Sequence, residues 1–382
     1  MEVYFDNAAT TPLRKEVIEA ISKSLVETFG NPSSTHGFGR KAKSAVESAR
    51  KSIAKEFKAA PSEIIFTSGG TESDNMILQC ALNDLGVKRI ITSPLEHHAV
   101  LYAAQELSKK GCTLAYVQHD AQGTIDLNHL KTLLAASELP TLVSLMHVNN
   151  EIGNMLDLKA VGELCQDHGA YFHTDAVQGV GHFPFDLETL PIDFLSASAH
   201  KFHGPKGVGL LYVRKTIRLQ SILKGGSQER GMRAGTEAVP NIVGMAKALE
   251  LAHQNFTTEQ DYILSLKNYF LAQLKKHFPE AHTNGHSGAT EGSTYTLVNV
   301  SLPIAQDKAQ MLDFHLDLKG IACSRGSACQ SGSNQGSHVI YALERPAHCK
   351  EWPTLRFSFS YLNTPKEIDY LMDILAEFAI GN

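Results

Sequence analysis

Between about residues 60 and 213, short β-branched segments alternate with amphipathic stretches of helical length. This alternation indicates βαβ units that build a mostly parallel sheet between layers of helices. We therefore predict an α/β fold and expect its ligand site beyond the carboxyl ends of the strands. The predicted strands lie at 63–67, 89–92, 113–117, 141–147, 170–174, 194–198 and 208–213.

The order of elements changes after about Asn255, where we predict helices over 259–277 and near 307–318 and strands at 295–301 and 354–358. Fewer strands and longer helices follow, which favours a second, smaller α+β domain. A length of 382 residues also fits two domains. We predict a large domain over 13–255 and a small domain that combines 1–12 with 256–382.

Charge and hydropathy exclude several classes of protein. The formal net charge is −5, the pI is 6.4 and no basic run occurs, so we expect no direct binding of nucleic acid. No apolar stretch is long enough to cross a membrane, and the first residues lack the pattern of a secretory signal. Six cysteines occur without C-x-x-C spacing, which favours free thiols in a reducing compartment, and we expect a cytoplasmic protein.

Two predicted strand ends carry polar groups that fit a ligand. The turn from Ser68 to Thr71 joins a strand to a helix, and its glycines let backbone N–H groups approach an anion. The alternative is a plain turn in which Thr71 caps the helix. Asp175 ends another strand, where its carboxylate meets either a protonated ring nitrogen or a metal, unless it caps the next segment.

The stretch 198–207 places Ser, His and Lys at the end of a strand, before a Gly/Pro turn. A partly desolvated lysine at such a place has a lowered pKa and can form a Schiff base. Lys201 and Lys206 are both candidates, and composition does not choose between them; a solvated basic turn is the alternative. A second Gly-rich loop, 225–236, carries two arginines that could reach an anion, including one bound by a neighbouring subunit.

Cys329 differs from the other cysteines because it lies in a loop rich in Ser and Gly, where a thiol is accessible to a reaction partner. Cys323 follows an apolar segment, and we expect it to be structural. Arg356 stands between apolar residues of a predicted strand, which implies a fixed anionic partner such as a carboxylate.

Taken in order, these motifs resemble the cysteine desulfurases of the NifS/IscS type, which are fold-type I pyridoxal-phosphate enzymes of the class-V aminotransferase family. The resemblance covers nearly the whole chain and implies a large domain with a mostly parallel sheet plus a smaller α+β domain. The matching segments are Tyr4–Pro12, Gly30–Ser34, Phe66–Glu72, Glu96–His97, His147–Gly153, His173–Gln178, Ser198–Lys206, Glu229–Thr236 and Gly326–Cys329.

The resemblance also implies a role for each candidate residue. Lys201, rather than Lys206, would bind pyridoxal 5′-phosphate covalently, and Asp175 would pair with its pyridinium nitrogen. His97, rather than His98, would stack on the ring and transfer protons. The remaining predicted contacts are Gln178 to the phenolic oxygen, Gly70, Thr71, Ser198 and His200 to the phosphate, Thr236 to the phosphate from the other subunit, and Asn150 and Arg356 to the cofactor and the substrate carboxylate.

The implied reaction converts L-cysteine to L-alanine and leaves the sulfur on Cys329 as a persulfide. The implied partners are a second copy of the chain and a protein that accepts sulfur, either an iron–sulfur scaffold or a tRNA-thiolation enzyme. Two alternatives stay open: a selenocysteine lyase or another pyridoxal-phosphate lyase or aminotransferase of the same fold, and a binding protein that kept the fold without activity.

Overall fold

A computed structural model describes residues 1–325 and 336–380 of the chain. Its strands fall into one large and two small sheets, and most of them lie within the segments that the sequence predicts. In chain order they are β1 Val3–Tyr4, β2 Ile64–Thr67, β3 Arg89–Thr92, β4 Thr113–Tyr116, β5 Thr141–Ser144, β6 Tyr171–Asp175, β7 Phe194–Ser198, β8 Gly209–Val213, β9 His282–Thr283, β10 Leu297–Ser301, β11 Ile321–Ala322 and β12 Thr354–Ser358.

Along the chain, helices alternate with most strands of the large sheet, and further helices pack against the smaller sheets. Helices α1 and α2 both pack against α7, and α3 packs against α4. In chain order they are α1 Lys15–Glu27, α2 Gly37–Glu56, α3 Gly70–Asp84, α4 His98–Lys109, α5 Leu127–Ala135, α6 Leu158–Asp167, α7 Val239–Gln254, α8 Phe256–His277, α9 Gln306–Ala309, α10 Leu312–Leu318, α11 His338–Ala342 and α12 Pro365–Ile380.

The large sheet has the strand order β2-β8-β7-β6-β5-β3-β4. Strands β3 to β7 pair in parallel, whereas β8 is antiparallel to both of its neighbours. All four residues of β2, β3 and β5 are buried, because helices cover both faces of a parallel sheet. The predicted α/β fold with a mostly parallel sheet is therefore confirmed.

A second apolar core joins the beginning of the chain to its last third. Strand β1 pairs in parallel with β11, and the antiparallel sheet β12-β10-β9 packs against α8 and α12. Phe5 is fully buried there, with its ring edge-on to those of Phe357 and Phe359. The domain boundaries at 12/13 and 255/256 stay a prediction. No helix in the described ranges combines the length and the apolar character that a bilayer crossing requires.

The structure corrects two details of the predicted elements. The helix predicted over 307–318 is interrupted, because α9 ends at Ala309 and α10 begins at Leu312. Thr71 does not cap α3; Gly69 occupies the N-cap position and Thr71 lies inside the first turn. The difference follows from the chain path, since two glycines allow the helix to begin one residue before the threonine.

Glu229 gives the loop 225–236 a structural function that its sequence does not reveal. Its carboxylate accepts two hydrogen bonds from Arg50, at 2.7 and 2.8 Å, and one at 2.9 Å from the backbone N–H of Phe66. Both charged side chains are almost fully buried. The pair holds Glu229 and Arg230 in left-handed backbone conformations, with φ of 46° and 57°, which are unfavourable for residues other than glycine.

Replacing Glu229 by Gln should destabilise the protein by about 3 kcal/mol, because Arg50 would keep a buried charge without its counterion. The free energy of unfolding in urea measures this effect. Glu47→Gln is the matched control, because Glu47 also contacts Arg50 but is 40% exposed; its loss should cost less than about 1 kcal/mol. Equal effects of the two substitutions would contradict the assignment of Glu229 as the essential partner.

Candidate active site

The turn between β2 and α3 forms an anion cradle at the N-terminus of a 15-residue helix. Gly69 has no side chain to cap this helix, and within the described residues no acceptor contacts the backbone N–H groups of Gly70, Thr71 or Glu72. These N–H groups and the helix dipole together favour a negatively charged ligand.

The cradle is narrow enough to require glycine. A Cβ atom at Gly70 would lie 2.5 Å from Cγ2 of Val177 and 3.9 Å from Cβ of Ser198. Ser198 ends β7 and is 4% exposed. Its side chain lies beside Gly70, so its hydroxyl approaches the cradle from β7. Ser198 and His200 line the cavity beside Gly70 and Thr71, and each of them can add a hydrogen bond to a bound anion.

Asp175 ends β6 in the middle of the large sheet and is 5% exposed. Its Oδ1 accepts a hydrogen bond of 2.9 Å from the backbone N–H of Val177. Burial raises the pKa of Asp175 to about 6, while the bond from Val177 and the charge of Lys201 act in the opposite direction. A carboxylate in this position attracts a cationic N–H group, because a buried charge is stabilised by an opposite charge at short distance.

Lys201 follows β7 in a single 3₁₀ turn, Ala199–Lys201, at the carboxyl end of the sheet. Its Nζ donates hydrogen bonds to the backbone carbonyls of Ala8 at 2.7 Å and Ala9 at 2.9 Å. The amine therefore lies at the junction between the N-terminal segment and the large sheet. Lys206, the competing candidate, is not among the residues that line the cavity.

His97 is the N-cap residue of α4, where its Nδ1 accepts a hydrogen bond of 3.2 Å from the backbone N–H of Ala99. Because Nδ1 is the acceptor, we assign the proton of the neutral ring to Nε2. Burial, together with smaller contributions from the nearby Lys201 and His338, lowers the pKa of His97 to about 4. His97 is therefore neutral near pH 7, with a proton at Nε2.

Arg356 enters the cavity from β12, on the small sheet, and is 1% exposed. Its guanidinium donates 2.7 Å and 2.9 Å hydrogen bonds to the carbonyl of Asn150 and to Oδ1 of Asp6. A guanidinium has five N–H donors, so these two bonds fix its orientation and leave capacity for a carboxylate ligand. Asp6 is the anionic partner that the apolar surroundings of Arg356 imply.

Ten of the twelve predicted site residues surround one cavity of about 200 Å³. Thr236 does not line it and is exposed on the surface of this chain. Cys329 lies outside the described residues. The ten are Gly70, Thr71, His97, Asn150, Asp175, Gln178, Ser198, His200, Lys201 and Arg356.

Other residues that line the cavity were not predicted from the sequence. Those with polar groups that bear on the site are Ala8, Ala9 and Asp74. Ala8 and Ala9 contribute backbone carbonyls, which no side-chain pattern reveals, although they lie in the quoted segment Tyr4–Pro12. Asp74 lies four residues after Gly70, one helical turn further along α3. That spacing was the only signal available for it.

Comparison with known proteins places this fold and site in one class. The family model of the class-V aminotransferases matches residues 3–371. A cysteine desulfurase IscS of Dictyoglomus turgidum is 44% identical over 98% of this chain and 93% of its own length. The chain belongs to the class-V aminotransferase family, in its branch of cysteine desulfurases of the IscS and NifS type.

Solved structures agree with this assignment. A structure described as a NifS-like protein has a TM-score of 0.89 and 37% identity, and the match covers 99% of each chain. A structure described as SspA in complex with cysteine has a TM-score of 0.81 and 32% identity, covering 95% of this chain and all of its own.

The pKa of His97 predicts how stability changes with pH. An unfolded histidine has a pKa of about 6.5, so between pH 6.5 and 4 the unfolded state binds more protons than the folded state. The contribution of His97 to stability should thus fall as the pH falls through this range. In the apoprotein, His97→Gln should lose less stability than the wild type between about pH 7 and pH 5 in urea unfolding. An NMR titration that places the ring transition of His97 near its ordinary value would contradict this expectation.

Proposed function

We propose that this protein is a pyridoxal-phosphate-dependent cysteine desulfurase, which converts L-cysteine to L-alanine and transfers the sulfur to Cys329. The observation that supports it best is the convergence of an anion cradle, the Asp175 carboxylate and the Lys201 amine on one cavity. The name of the relative at 44% identity supports the same reaction, as does a structural neighbour described as a complex with cysteine.

The cavity fits pyridoxal phosphate in four respects. The unsatisfied amides at Gly70 and Thr71 suit a phosphate dianion, and Asp175 suits a protonated pyridine nitrogen. Lys201 supplies the amine for covalent attachment of the cofactor. Gln178 donates from Nε2 to the carbonyl of Ala8 at 2.8 Å, and its second N–H is the donor that we assign to the phenolic oxygen.

When bound, pyridoxal phosphate supplies an electron sink for the negative charge that develops at the α-carbon of the amino acid. The protein's own groups perform the remaining tasks. Arg356 binds the substrate carboxylate, because its position is fixed by Asp6 and the carbonyl of Asn150. Lys201 removes the α-proton at Nζ, and His97 holds at Nε2 a proton that can be delivered to the reacting groups.

Sulfur transfer requires a thiolate as nucleophile. We assign this role to Cys329, whose Sγ attacks the sulfur of the substrate. A new S–S bond forms, the bond between the substrate's Cβ and sulfur breaks, and its electron pair stays with the carbon skeleton, which takes up a proton and leaves as alanine. The product on the enzyme is a persulfide, which we expect to pass to an acceptor protein for iron–sulfur cluster assembly or tRNA thiolation. The Cys329 thiol must stay reduced to act as a nucleophile, which favours a reducing compartment, so we place the enzyme in the cytoplasm.

Lys201→Ala should abolish the visible absorbance of lysine-bound cofactor and lower kcat for alanine formation by about 10³-fold or more. Lys206→Ala is the matched control, since this lysine lies five residues further along the chain and does not line the cavity. Retention of the absorbance band in Lys201→Ala and its loss in Lys206→Ala would reverse the assignment.

Cys329→Ala should keep the cofactor absorbance and lose both protein-bound persulfide and alanine formation from L-cysteine, because only the acceptor thiol is removed. Cys323→Ala is the matched control, since burial raises the pKa of the Cys323 thiol and the side chain packs against the core of the small sheets. A Cys329→Ala enzyme that releases sulfide at the wild-type rate would exclude Cys329 as nucleophile.

Parallel assays with L-selenocysteine and with an amino-group acceptor test the lyase and aminotransferase alternatives.

We further propose that the enzyme is a homodimer in which Thr236 of each chain completes the phosphate site of the other. Thr236 is exposed and does not line the cavity of its own chain, and exposed apolar side chains such as Val26 and Phe29 offer a surface for a second chain. Light scattering should give twice the chain mass of 41.7 kDa. Thr236→Ala should weaken cofactor binding about tenfold, whereas Ser227→Ala in the same loop should not.

Mixed dimers test whether this contact crosses between subunits. A dimer of one Lys201→Ala chain and one Thr236→Ala chain has one intact site if Thr236 acts across the interface, and none if it acts within its own chain. Half of the wild-type cofactor content at high affinity is therefore expected. A mixed dimer without any high-affinity site would contradict the cross-subunit contact.

A further inference from the structure

Asp74 is a carboxyl group in the floor of the cavity that the proposed mechanism does not use. It lies on α3, one turn after the anion cradle, and is 1% exposed. Its Oδ1 has no hydrogen-bond partner among the described residues. Among the described residues, the hydroxyl of Ser196 donates to its carboxyl group. A buried, ionised carboxylate with one oxygen unpaired and only a neutral donor is strongly unfavourable, so the position requires either a cation or a proton.

The histidine next to Asp74 does not supply a cation. His173 on β6 has its Nε2 3.5 Å from Oδ1 of Asp74, and its ring is completely buried. Both ring nitrogens already contact hydroxyl groups, Nδ1 that of Ser144 at 2.8 Å and Nε2 that of Ser196 at 3.0 Å. Burial lowers the pKa of His173 to about 3, so the ring is neutral and no ion pair with Asp74 forms.

Asp74 and Asp175 face the same cavity, but only Asp175 has a cation nearby that stabilises a negative charge. Asp175 accepts an N–H from Val177 and lies near the charge of Lys201. Asp74 has the neutral hydroxyl of Ser196 as a donor, and the charged groups that act on it are Asp175 and Glu96, both acidic. Two buried carboxyl groups at one site do not ionise together, and the proton goes to the one that lacks a nearby cation. Burial raises the pKa of Asp74 well above its usual value, in agreement with this assignment.

We propose that Asp74 is a positioning residue of the cofactor site that keeps a proton on its carboxyl group, so that the cavity floor has a single negative charge, on Asp175. This inference deepens the proposed function and rests on it for the identity of the ligand. A neutral Asp74 lets Asp175 pair one-to-one with a cationic ring nitrogen. It also avoids a negative charge one turn from the amides that receive a phosphate, where an ionised side chain would repel it.

The first experiment measures the proton directly in the apoprotein. The infrared difference spectrum between wild type and Asp74→Asn at neutral pH should show loss of the C=O band of a protonated carboxylic acid. Loss of carboxylate bands instead would overturn the proposal. If Asp74→Asn does not fold, wild-type protein labelled with ¹³C at the aspartate carboxyl carbons answers the same question, because the chemical shift of one aspartate should remain that of the protonated acid.

The second experiment measures the affinity of pyridoxal phosphate for the apoprotein. Asp74→Ala removes the polar group beside His173 and Ser196 and should weaken binding by about tenfold. Asp74→Asn keeps a neutral hydrogen-bonding group of the same shape and should restore the affinity to within about threefold of wild type. An Asn variant as weak as the Ala variant would show that a negative charge is needed and would overturn the proposal.

Asp175→Asn is the matched control, because it removes the charge that we assign to the floor of the cavity and should weaken binding more than Asp74→Asn does. The outcomes also separate this inference from the proposed function. Wild-type protein that binds no pyridoxal phosphate would refute the function, while the infrared measurement on the apoprotein would still decide whether Asp74 is protonated.

Discussion

The hydrogen bonds between Lys201 and the N-terminal segment hold the site together. The Lys201 amine donates to the carbonyls of Ala8 and Ala9, and Gln178 donates to the same carbonyl of Ala8. Backbone carbonyls stabilise the ammonium form of a lysine, because their oxygens accept its N–H groups and carry no charge themselves. A segment of a few residues therefore fixes the reactive amine from one side, while the strand end of β7 fixes it from the other.

The same segment connects the two parts of the molecule. Asn7 donates from Nδ2 to the carbonyl of Ser358 at 2.8 Å, and Asp6 accepts from Arg356 at 2.9 Å, so both bonds lead to β12. Thr11 donates from its backbone N–H and its hydroxyl to the carbonyl of His200, in the turn that follows β7 of the large sheet. The N-terminal segment therefore contacts both Arg356, on β12, and Lys201, after β7, and fixes the position of one relative to the other. This arrangement suits an amino-acid substrate, whose carboxylate and α-carbon must be addressed together.

The sequence predicts most of this arrangement for a definite reason. Asp175, Ser198 and Lys201 follow strands, and parallel strands end at one edge, so the alternation of elements alone brings them near each other. The contacts of the N-terminal segment and the role of Asp74 could not be predicted in this way. Carbonyls of Ala8 and Ala9 have no side-chain signature, and an acidic residue in an exposed helix gives the same pattern as the buried Asp74. Its burial depends on the packing of α3 against β6 and β7, which is a tertiary property.

The charges of the cavity show how its groups divide their tasks. Lys201 and Arg356 are cations whose counterparts are Asp175 and Asp6, so the charges of the protein groups nearly balance before any ligand enters. Burial lowers the pKa of His200, which lines the anion cradle, to about 4, so this histidine adds no further positive charge near neutral pH. The cradle thus attracts an anion with amides, a hydroxyl and a helix dipole rather than with a side-chain cation. Because the cradle contributes no side-chain cation to the anion, Arg356 can bind the substrate carboxylate while Lys201 acts at the α-carbon.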